Sequence, residues 1–469
     1  MTVRVALCMS GGVDSAVASF FTCRCLKTVK DLHAFQAWSS RCSEARDQLG
    51  LSKERLAEMI SNGIAWGDYF HQSTGYSHPV DLPNLSIEYF PVHMHNWEDP
   101  MDSSVCPRSR RDVEQANDAA AVMGLPTPIH ELCFAEQYWK DCVEPMIESF
   151  RVGGSLNIDV LCNSKIKFGA LLQYCQRRWG VQWIATGHYA RVVKRPPGFV
   201  IGRPRSCSAD HNDQTVFLAG LSSEQIQRAI FPLGSLVRTK KETRWLSSSL
   251  GLRAISEKAT STGICFVQSK IKFSAWLDEL VPPYPHEHPK TLVIDGDSGR
   301  TIDDVEVVGE PPVIPAHHIT VGQRVMLRST VGPHVGEYRR WYVSKKIVES
   351  SVSTCSVPLR GITVVPVFNH PHLRFHTFVI RQLCRHIPIE ITSETFVTTR
   401  HHDTIDPCTV VPVNPESWKI TLQGIEKRAG LAGQLAVIYV RPSNCGGFCR
   451  FSPEDLVVAQ SGWITEILH

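Results

Sequence analysis

A glycine-rich loop at residues 10–15, Ser-Gly-Gly-Val-Asp-Ser, constrains the fold of this chain more than any other short stretch. It follows an apolar segment at residues 3–8 that is typical of a buried strand, and it precedes an apolar run at 14–27 with helical spacing. In an open α/β sheet, a loop of this kind lies at the carboxyl edge, where ligands bind. Its backbone amides face phosphate oxygens at a helix N-terminus, and glycine permits close approach. The stretch therefore predicts a phosphate site.

The loop lacks the Lys-Ser or Lys-Thr pair that closes a Walker loop. A Walker lysine reaches the β- and γ-phosphates, whereas a lysine-free loop suits enzymes that expel pyrophosphate while they adenylate a substrate. The loop resembles the PP-loop of ATP pyrophosphatases, a superfamily that includes GMP synthetase, asparagine synthetase, argininosuccinate synthetase and several tRNA-modifying enzymes. It predicts adenylation chemistry without identifying the substrate.

Strand-like and helix-like stretches alternate over the first part of the chain, which predicts a parallel sheet with helices on both faces. After the first strand and helix, the predicted strands are 87–97, 129–134 and 181–190, and the predicted helices are 112–125, 136–150 and 165–180. Residues 194–208 are rich in Pro, Arg and Gly and are interpreted as a linker or loop. Residues 213–282 are predicted to be helical, and the residues after them are predicted to form short strands.

Composition limits the class of protein but not its partner. A length of 469 residues suggests two to four domains, and 43% hydrophobic and 20% charged residues are ordinary for a globular protein. A net charge of +3 neither requires nor excludes nucleic acid. The 16 cysteines contain no C-x-x-C pair, so we expect no protein-bound zinc or iron–sulfur cluster. No apolar run approaches the ~20 residues of a membrane span.

Two cysteines lie in sequence contexts that suit reactive thiols. Cys162 is predicted to lie just before a helix, and Asp159 precedes it as a local acid or base. Cys265 follows a Ser-Thr-Gly turn near another predicted helix start. Amides at a helix N-terminus stabilise a thiolate and lower the thiol pKa. Taken singly, each is more simply interpreted as a buried structural cysteine.

Together these motifs resemble the tRNA-specific 2-thiouridylase family, which thiolates the wobble uridine of certain tRNAs. Apart from about 28–88, the resemblance covers most of the chain, and it weakens between about 345 and 430. The matching segments, in the family's order, are CMSGGVDS (8–15), VHMHNW (92–97), 113–134, EQYWKDCVEP (136–145), DVLCNSKIKFG (159–169), ATGHYAR (185–191), 213–234, STGICFV (261–267), TVGQR (320–324) and AGQLAVIY (432–439).

The resemblance implies a two-stage reaction. ATP adenylates the uridine 2-oxygen, and a cysteine persulfide then delivers sulfur as AMP departs. By position, Cys265 would carry the persulfide. Cys162 would be the other catalytic cysteine, releasing sulfide or forming a transient disulfide with Cys265, and Asp159 would be the acid/base. The implied partners are tRNA and a persulfide donor, either a cysteine desulfurase or a relay protein, and no membrane.

The resemblance also implies two sets of binding residues. ATP with Mg²⁺, as substrate, would be held by Cys8, Met9, Ser10, Gly11, Gly12, Val13, Asp14, Ser15, Met94 and Gly187. The tRNA would be contacted by Asn157, Ile158, His188, Asn212, Asp213, Gln214, Arg400 and Gln434. From the residues alone, Met94 is interpreted as ordinary strand packing and His188 as a capped loop histidine.

The sequence departs from the family in three places. The basic Arg-aromatic-Arg stretch that the family has near its C-terminal domain is reduced to Arg400, His401 and His402. Residues 155–159 read Ser-Leu-Asn-Ile-Asp, without the family's two prolines, which predicts a less rigid loop. About sixty residues, roughly 28–88, are inserted where the family has a short loop. This insertion and the Cys- and His-rich composition favour the mitochondrial matrix of a eukaryote, and a bacterial member would be cytoplasmic.

The expected architecture is α/β: an N-terminal Rossmann-like parallel sheet, a small central domain and, by resemblance, a C-terminal β-barrel. We predict a catalytic PP-loop domain at 1–205, a helical continuation at 206–285 carrying Cys265, a β-rich central domain at 286–365 and the barrel at 366–469.

Two other functions stay open. One is another PP-loop adenylating ligase or amidotransferase, whose activity would survive loss of Cys162 and Cys265. The other is a non-catalytic ATP- or RNA-binding relative, which would bind ATP without releasing pyrophosphate.

Overall fold

The computed structural model describes residues 2–25, 86–97, 107–151, 153–195, 198–205, 212–258, 292–308, 319–331, 333–348, 359–387, 389, 394–428, 430, 432–441 and 455–468. Cys265 and nearly all of the predicted insertion at 28–88 lie outside these residues. None of the helices in the described part of the chain combines the length and apolar character that a membrane crossing needs.

The N-terminal part is a five-stranded parallel sheet, which confirms the predicted fold class. Its strands are β1 (Thr2–Cys8), β2 (Ser86–His95), β3 (His130–Cys133), β4 (Trp183–Ala185) and β7 (Ala229–Ile230). They lie side by side in the order β3-β2-β1-β4-β7, and every pairing is parallel. All five carboxyl ends therefore meet at one edge of the sheet.

Helices cover both faces of this sheet. They are α1 (Val13–Cys25), α2 (Pro107–Val122), α5 (Thr215–Leu218), α6 (Ser223–Gln227), α7 (Leu233–Leu236), α8 (Lys240–Ser249) and α9 (Arg253–Ser256), with two longer composite helices. Helix α3 runs through Ala135–Tyr138, a π-helical turn Trp139–Val143 and Glu144–Arg151. Helix α4 runs through Ile158–Leu161, a π-helical stretch Cys162–Leu171 and Leu172–Trp179.

Strand β1 shows why the sheet is buried on both faces. Val5 and Leu7 pack into the core beneath α1, α2 and α8, whereas Ala6 between them faces the core beneath α3 and α4. All three are fully buried. A strand that is covered on both sides reads as a continuous apolar run, which is why residues 3–8 were recognisable from sequence.

The second sheet is built from residues 292–365. Its strands are β8 (Leu292–Asp295), β9 (Val305–Val308), β10 (Arg324–Ser329), β11 (Tyr338–Val348) and β12 (Leu359–Val365), in the order β8-β12-β11-β10-β9. It has a small core of its own that includes Val343 and Ile362. These strands fall within the range predicted for the central domain, although the domain limits themselves stay a prediction.

The C-terminal part is a closed six-stranded antiparallel barrel, as predicted. Its strands are β14 (Thr377–Arg385), β15 (Thr395–Thr398), β16 (Asp406–Asn414), β17 (Ser417–Leu422), β19 (Leu435–Val440) and β20 (Val457–Leu468). They follow the order β14-β17-β16-β15-β19-β20, and β20 pairs back onto β14. A short ladder joins β13 (Arg374–Phe375) to β18 (Lys427–Arg428).

The prediction of a linker at 194–208 was wrong over its described residues up to 202. Strands β5 (Arg191–Arg195) and β6 (Gly198–Gly202) form an antiparallel hairpin, and Gly202 pairs with Val457 of β20. Val200 and Ile201 are buried and belong to a short apolar run that predicts a strand. The surrounding Pro, Arg and Gly residues favoured a loop instead. The hairpin joins the N-terminal part to the start of the last barrel strand.

Candidate active site

The phosphate loop, residues 9–15, leaves the end of β1 and is closed by hydrogen bonds within itself. The Ser10 amide donates to Ser15 Oγ at 3.1 Å, and Ser15 Oγ donates to the Gly12 carbonyl at 2.9 Å. The Met9 amide donates to the Val92 carbonyl at 2.8 Å, which ties the loop to β2. These hydrogen bonds fix the conformation of the loop.

Glycine is required at two contacts of this loop. Gly11 has a φ of +70°, and a Cβ there would lie 2.2 Å from the Asp112 carbonyl oxygen. Gly187, which follows β4, packs so tightly against the loop that its Cβ would lie 2.7 Å from the Asp14 carbonyl carbon. The structure therefore brings Gly187 to the phosphate loop, beside residues from which it is distant in sequence.

Asp14 is the loop side chain that is bonded to distant parts of the chain. One carboxylate oxygen accepts a hydrogen bond of 2.8 Å from the Tyr189 hydroxyl, and the other is ion-paired with the Lys240 ammonium. Tyr189 also shares a 2.7 Å hydrogen bond with Thr243 Oγ1. Burial, and secondly the Asp14 carboxylate, raises the pKa of Tyr189 well above its usual value, so the phenol stays a donor to Asp14.

Lysines reach this lysine-free loop from distant parts of the chain. Besides Lys240, Lys258 donates to the Gly11 carbonyl at 3.2 Å and to Gln115 Oε1 at 2.8 Å, and it is ion-paired with Asp112. Sequence reasoning did not assign either lysine to the site, because the sequence separation is large and no local motif marks them.

Asp159 and Cys162 lie in the first turns of α4, which begins well before the predicted start at residue 165. Asn157 caps this helix, since its Oδ1 accepts a hydrogen bond of 2.9 Å from the Asp159 amide. The prediction that Cys162 lies just before a helix was therefore wrong: it lies one turn inside. Burial raises the pKa of Asp159, an effect that Lys167 partly offsets, and a raised pKa suits an acid/base.

The sulfur of Cys162 is nearly enclosed, with the residue 5% exposed. Asn96, the first residue after β2, donates its amide to Cys162 Sγ at 3.7 Å. This contact places Cys162 at the carboxyl edge of the same sheet as the phosphate loop.

Burial raises the pKa of Cys8 and of Cys175, each to about 12, which keeps these two thiols protonated.

A cavity of about 370 Å³ opens between the start of α4 and the barrel. Five predicted site residues line it, and its remaining walls are mostly apolar. The predicted residues are Asn157, Ile158, Asp159, Arg400 and Gln434, and further lining residues include Met146, Phe150, Val216, Thr399, His401 and Leu435. A mostly apolar cavity with a few polar groups is a typical site for a small ring such as a nucleobase.

His401 is a lining residue that the predicted site set did not contain. Its Nε2 is buried and has no hydrogen-bond partner among the described residues. Its ring lies 4.4 Å from the Phe217 ring, and burial lowers its pKa. The sequence signal was only the Arg400-His401-His402 run in a region of weak resemblance.

Three other predicted tRNA contacts are bonded within the protein. The carboxylate of Asp213 accepts from Arg203 at 2.7 Å and from the Thr215 amide at 2.9 Å. The Oε1 of Gln214 accepts from the Tyr189 amide at 3.0 Å. The ring of His188 shares a 2.7 Å hydrogen bond with Thr186, and burial lowers its pKa well below the usual value.

The remaining predicted residues are placed as follows. Met94 lies near the end of β2 and packs against the core beneath α3 and α4. The Nδ2 of Asn212 is buried without a hydrogen-bond partner among the described residues. Cys265, and with it the predicted disulfide to Cys162, lies outside those residues.

Asp297, His370 and His372 form a group of metal-type ligands within the described residues. The His372 amide donates to His370 Nδ1 at 3.2 Å, so His370 Nε2 carries the proton that it donates to Asp297 at 2.8 Å. Both ring nitrogens of His370 are thus engaged. The group pins the central sheet to the connection before the barrel.

Comparison with known proteins shows which proteins the chain is similar to. A model described as the tRNA methyl transferase HUP domain matches residues 82–269, a range that begins after the phosphate loop. The tRNA-specific 2-thiouridylase MnmA of Tolumonas auensis is 32% identical over 361 residues, or 76% of this chain and 88% of the relative. Those of Pectobacterium carotovorum and Shigella flexneri are each 31% identical, covering 76% and 74% of this chain and 88% and 86% of their own.

Proposed function

Because the chain belongs to the tRNA-specific 2-thiouridylase family, we propose that it is an ATP-dependent tRNA-uridine 2-sulfurtransferase. One observation carries the proposal beyond the family. The Asn96 contact holds the Cys162 sulfur at the sheet edge that also carries the phosphate loop. An enzyme that only adenylates its substrate has no use for a thiol there.

The first stage is adenylation of the target uridine. Residues 8–15 hold the substrate MgATP and bind its phosphates through their backbone amides, with Met94 and Gly187 on its nucleoside side. The uridine 2-oxygen attacks the α-phosphorus, and pyrophosphate leaves. Adenylation matters because it converts a poor leaving oxygen at C2 into AMP, a good leaving group.

The second stage replaces that oxygen with sulfur. Cys265 carries the persulfide, and its terminal sulfur attacks C2 of the uridine. Cys162 attacks the Cys265 sulfur, so the S–S bond of the persulfide breaks, the terminal sulfur stays on the base and AMP departs. A Cys162–Cys265 disulfide forms, and an external thiol reductant restores both cysteines. Asp159, in the cavity wall, moves protons at the uridine edge.

The cavity between α4 and the barrel is the proposed pocket for the flipped uridine. Asn157, Ile158 and Asp159 contact it from one side, and Arg400 and Gln434 from the barrel side. A wobble uridine in an anticodon loop is already unpaired, which makes flipping inexpensive. His188, Asn212, Asp213 and Gln214 support this surface, the last two through bonds to neighbouring protein groups.

The finer assignments extend the same proposal. The substrates are tRNAs of the Lys, Glu and Gln type. The sulfur comes from a cysteine desulfurase or a persulfide relay protein. The insertion and the Cys- and His-rich composition support the mitochondrial matrix as the site of action, and a bacterial source would place the enzyme in the cytoplasm.

Thiolation of an unmodified tRNA with a wobble uridine tests the proposal. The assay contains MgATP and a cysteine desulfurase with cysteine, and nucleosides from digested tRNA are measured by mass spectrometry. We expect 2-thiouridine from wild type and none from Cys162→Ser or Cys265→Ser. Cys175→Ala is the matched control, since it removes a fully buried thiol on the same helix and should retain thiolation.

Two results would contradict the proposal. ATP-dependent chemistry that survives loss of both Cys162 and Cys265 would indicate another adenylating ligase or amidotransferase. ATP binding without release of pyrophosphate in the presence of tRNA and donor would indicate a non-catalytic relative.

A further inference from the structure

Two lysines from the region after β7 converge on the phosphate loop, and they are bonded differently. Lys240 is the first residue of α8, which Thr239 caps by accepting from the Glu242 amide. Lys258 follows α9. Both ammonium groups lie beside loop residues that are more than two hundred positions away in sequence.

Lys258 is fully engaged by the protein. Its ammonium has three acceptors, namely the Gly11 carbonyl, Asp112 Oδ1 and Gln115 Oε1. An ammonium has three hydrogens to donate, so none remains for a ligand. Because one acceptor is the carbonyl of Gly11, the loop residue with positive φ, Lys258 fixes the direction of that peptide.

Lys240 is bonded much less completely. Asp14 Oδ2 is its single hydrogen-bond acceptor within the described part of the chain, which leaves two ammonium hydrogens. Its side chain is 20% exposed and that of Asp14 is 31% exposed, so the pair is accessible to solvent. Asp14 has a second partner, the Tyr189 hydroxyl, which donates to its other carboxylate oxygen.

We propose that Lys240 binds the pyrophosphate moiety of ATP, contacting the β- and γ-phosphates and the departing pyrophosphate, while Lys258 positions the loop. The inference deepens the proposed function and rests on it. A lysine is a flexible point charge, and pyrophosphate carries more negative charge than one carboxylate. The ammonium therefore exchanges Asp14 for phosphate when ATP arrives. The loop lacks a lysine of its own because the start of α8 supplies one.

Binding of ATP, inorganic pyrophosphate and AMP to the full-length protein tests this by calorimetry. For Lys240→Met, we expect affinity for ATP and pyrophosphate to fall about tenfold to a hundredfold, as for loss of a hydrogen bond to a charged group, with AMP affinity unchanged. Lys240→Arg keeps the charge and should recover part of the loss. Lys241→Met, at the exposed next position of α8, should bind all three ligands like wild type.

Lys258→Met provides the contrasting pattern. Because Lys258 holds the loop itself, its loss should weaken ATP and AMP alike and lower the melting temperature. An equal loss of ATP and AMP affinity in Lys240→Met would make Lys240 a second positioning residue and overturn the proposal. Unchanged ATP affinity in that variant would overturn it too.

A second measurement on wild type avoids any folding defect of the variants. Acetylation of lysines is followed by mass spectrometry with and without ligand. Pyrophosphate should protect Lys240 from acetylation, and AMP should not. Equal acetylation of Lys240 without ligand, with pyrophosphate and with AMP would overturn the proposal. Neither measurement uses tRNA or a sulfur donor. If thiolation fails but Lys240→Met still loses affinity for ATP and not for AMP, the proposed function alone is rejected. If thiolation succeeds but Lys240→Met shows no such difference, only the role of Lys240 is rejected.

Discussion

The phosphate loop and the cavity beside the barrel lie at the same sheet edge but are built in opposite ways. The loop is one contiguous stretch, and its conformation is fixed by hydrogen bonds between Ser10, Gly12 and Ser15. The cavity is assembled from α3, α4 and two parts of the barrel, and its lining includes His401, whose Nε2 has no hydrogen-bond partner among the described residues. The conformation of the loop thus depends on local hydrogen bonds, whereas the cavity depends on contacts between parts of the chain that are distant in sequence.

The largest expected effect is on the loop. Gly11→Ala should abolish measurable ATP binding, because the new methyl group meets the Asp112 carbonyl and the backbone must leave its φ of +70°. Gly124→Ala is the matched control, since its φ is +68° and nothing lies within 4 Å of its Cβ position. It should cost about 1 kcal/mol of unfolding free energy and leave ATP binding intact. Equal ATP binding by the two variants would contradict the expectation.

The next effect is on the cavity. Asp159→Asn should reduce thiolation about a hundredfold, the range for removal of a general acid or base, without changing ATP affinity. Because the folded-state pKa of Asp159 is raised, its ionisation makes stability fall as pH rises from the unfolded pKa through the folded one. Asn removes that loss, so the variant should be at least as stable as wild type at pH 7. Denaturant unfolding of both proteins at pH 4 and pH 7 measures this difference. A lower unfolding free energy for Asp159→Asn than for wild type at pH 7 would contradict the expectation.

A smaller effect is expected at the junction of the two regions. Asn96→Ala removes the amide donor to Cys162 Sγ and should slow sulfur transfer up to about tenfold, with adenylation unchanged. Asn163→Ala is the control, because this buried amide donates to the Phe217 carbonyl at 3.0 Å. It should lower stability by about 1–3 kcal/mol but not the transfer rate of the folded enzyme. Single-turnover assays separate the stages, and an equal slowing in both variants would contradict the role of Asn96.

The smallest effect is expected on the barrel side. Arg400→Ala should weaken tRNA binding severalfold and lower the slope of log affinity against log salt by about one. Arg381→Ala is a comparison on the same barrel, since Arg381 is exposed and ion-paired with Glu416. Its salt slope should match wild type. An unchanged slope in Arg400→Ala would remove this residue from the tRNA surface.

The same contrast explains what the sequence revealed. The loop, the parallel sheet and the barrel were predictable because they rest on local patterns or on motif order. The Asp14–Lys240 pair was not, since it joins residues whose separation no periodicity encodes. The hairpin at 191–202 was missed because Pro, Arg and Gly outweigh its short apolar run. The early start of α4 was missed because Asn157 was interpreted as a tRNA contact within an altered motif and not as a helix-capping residue.

The pairing of the hairpin with the last barrel strand has a consequence for synthesis of the protein. Val457 is synthesised some 250 residues after Gly202, so this pair cannot form until the ribosome has added those residues. At usual rates of elongation this takes roughly 13–51 s, during which the Gly202 end of β6 lacks this pairing. A chain that stops before residue 457 therefore cannot form the pairing that joins the hairpin to the last barrel strand.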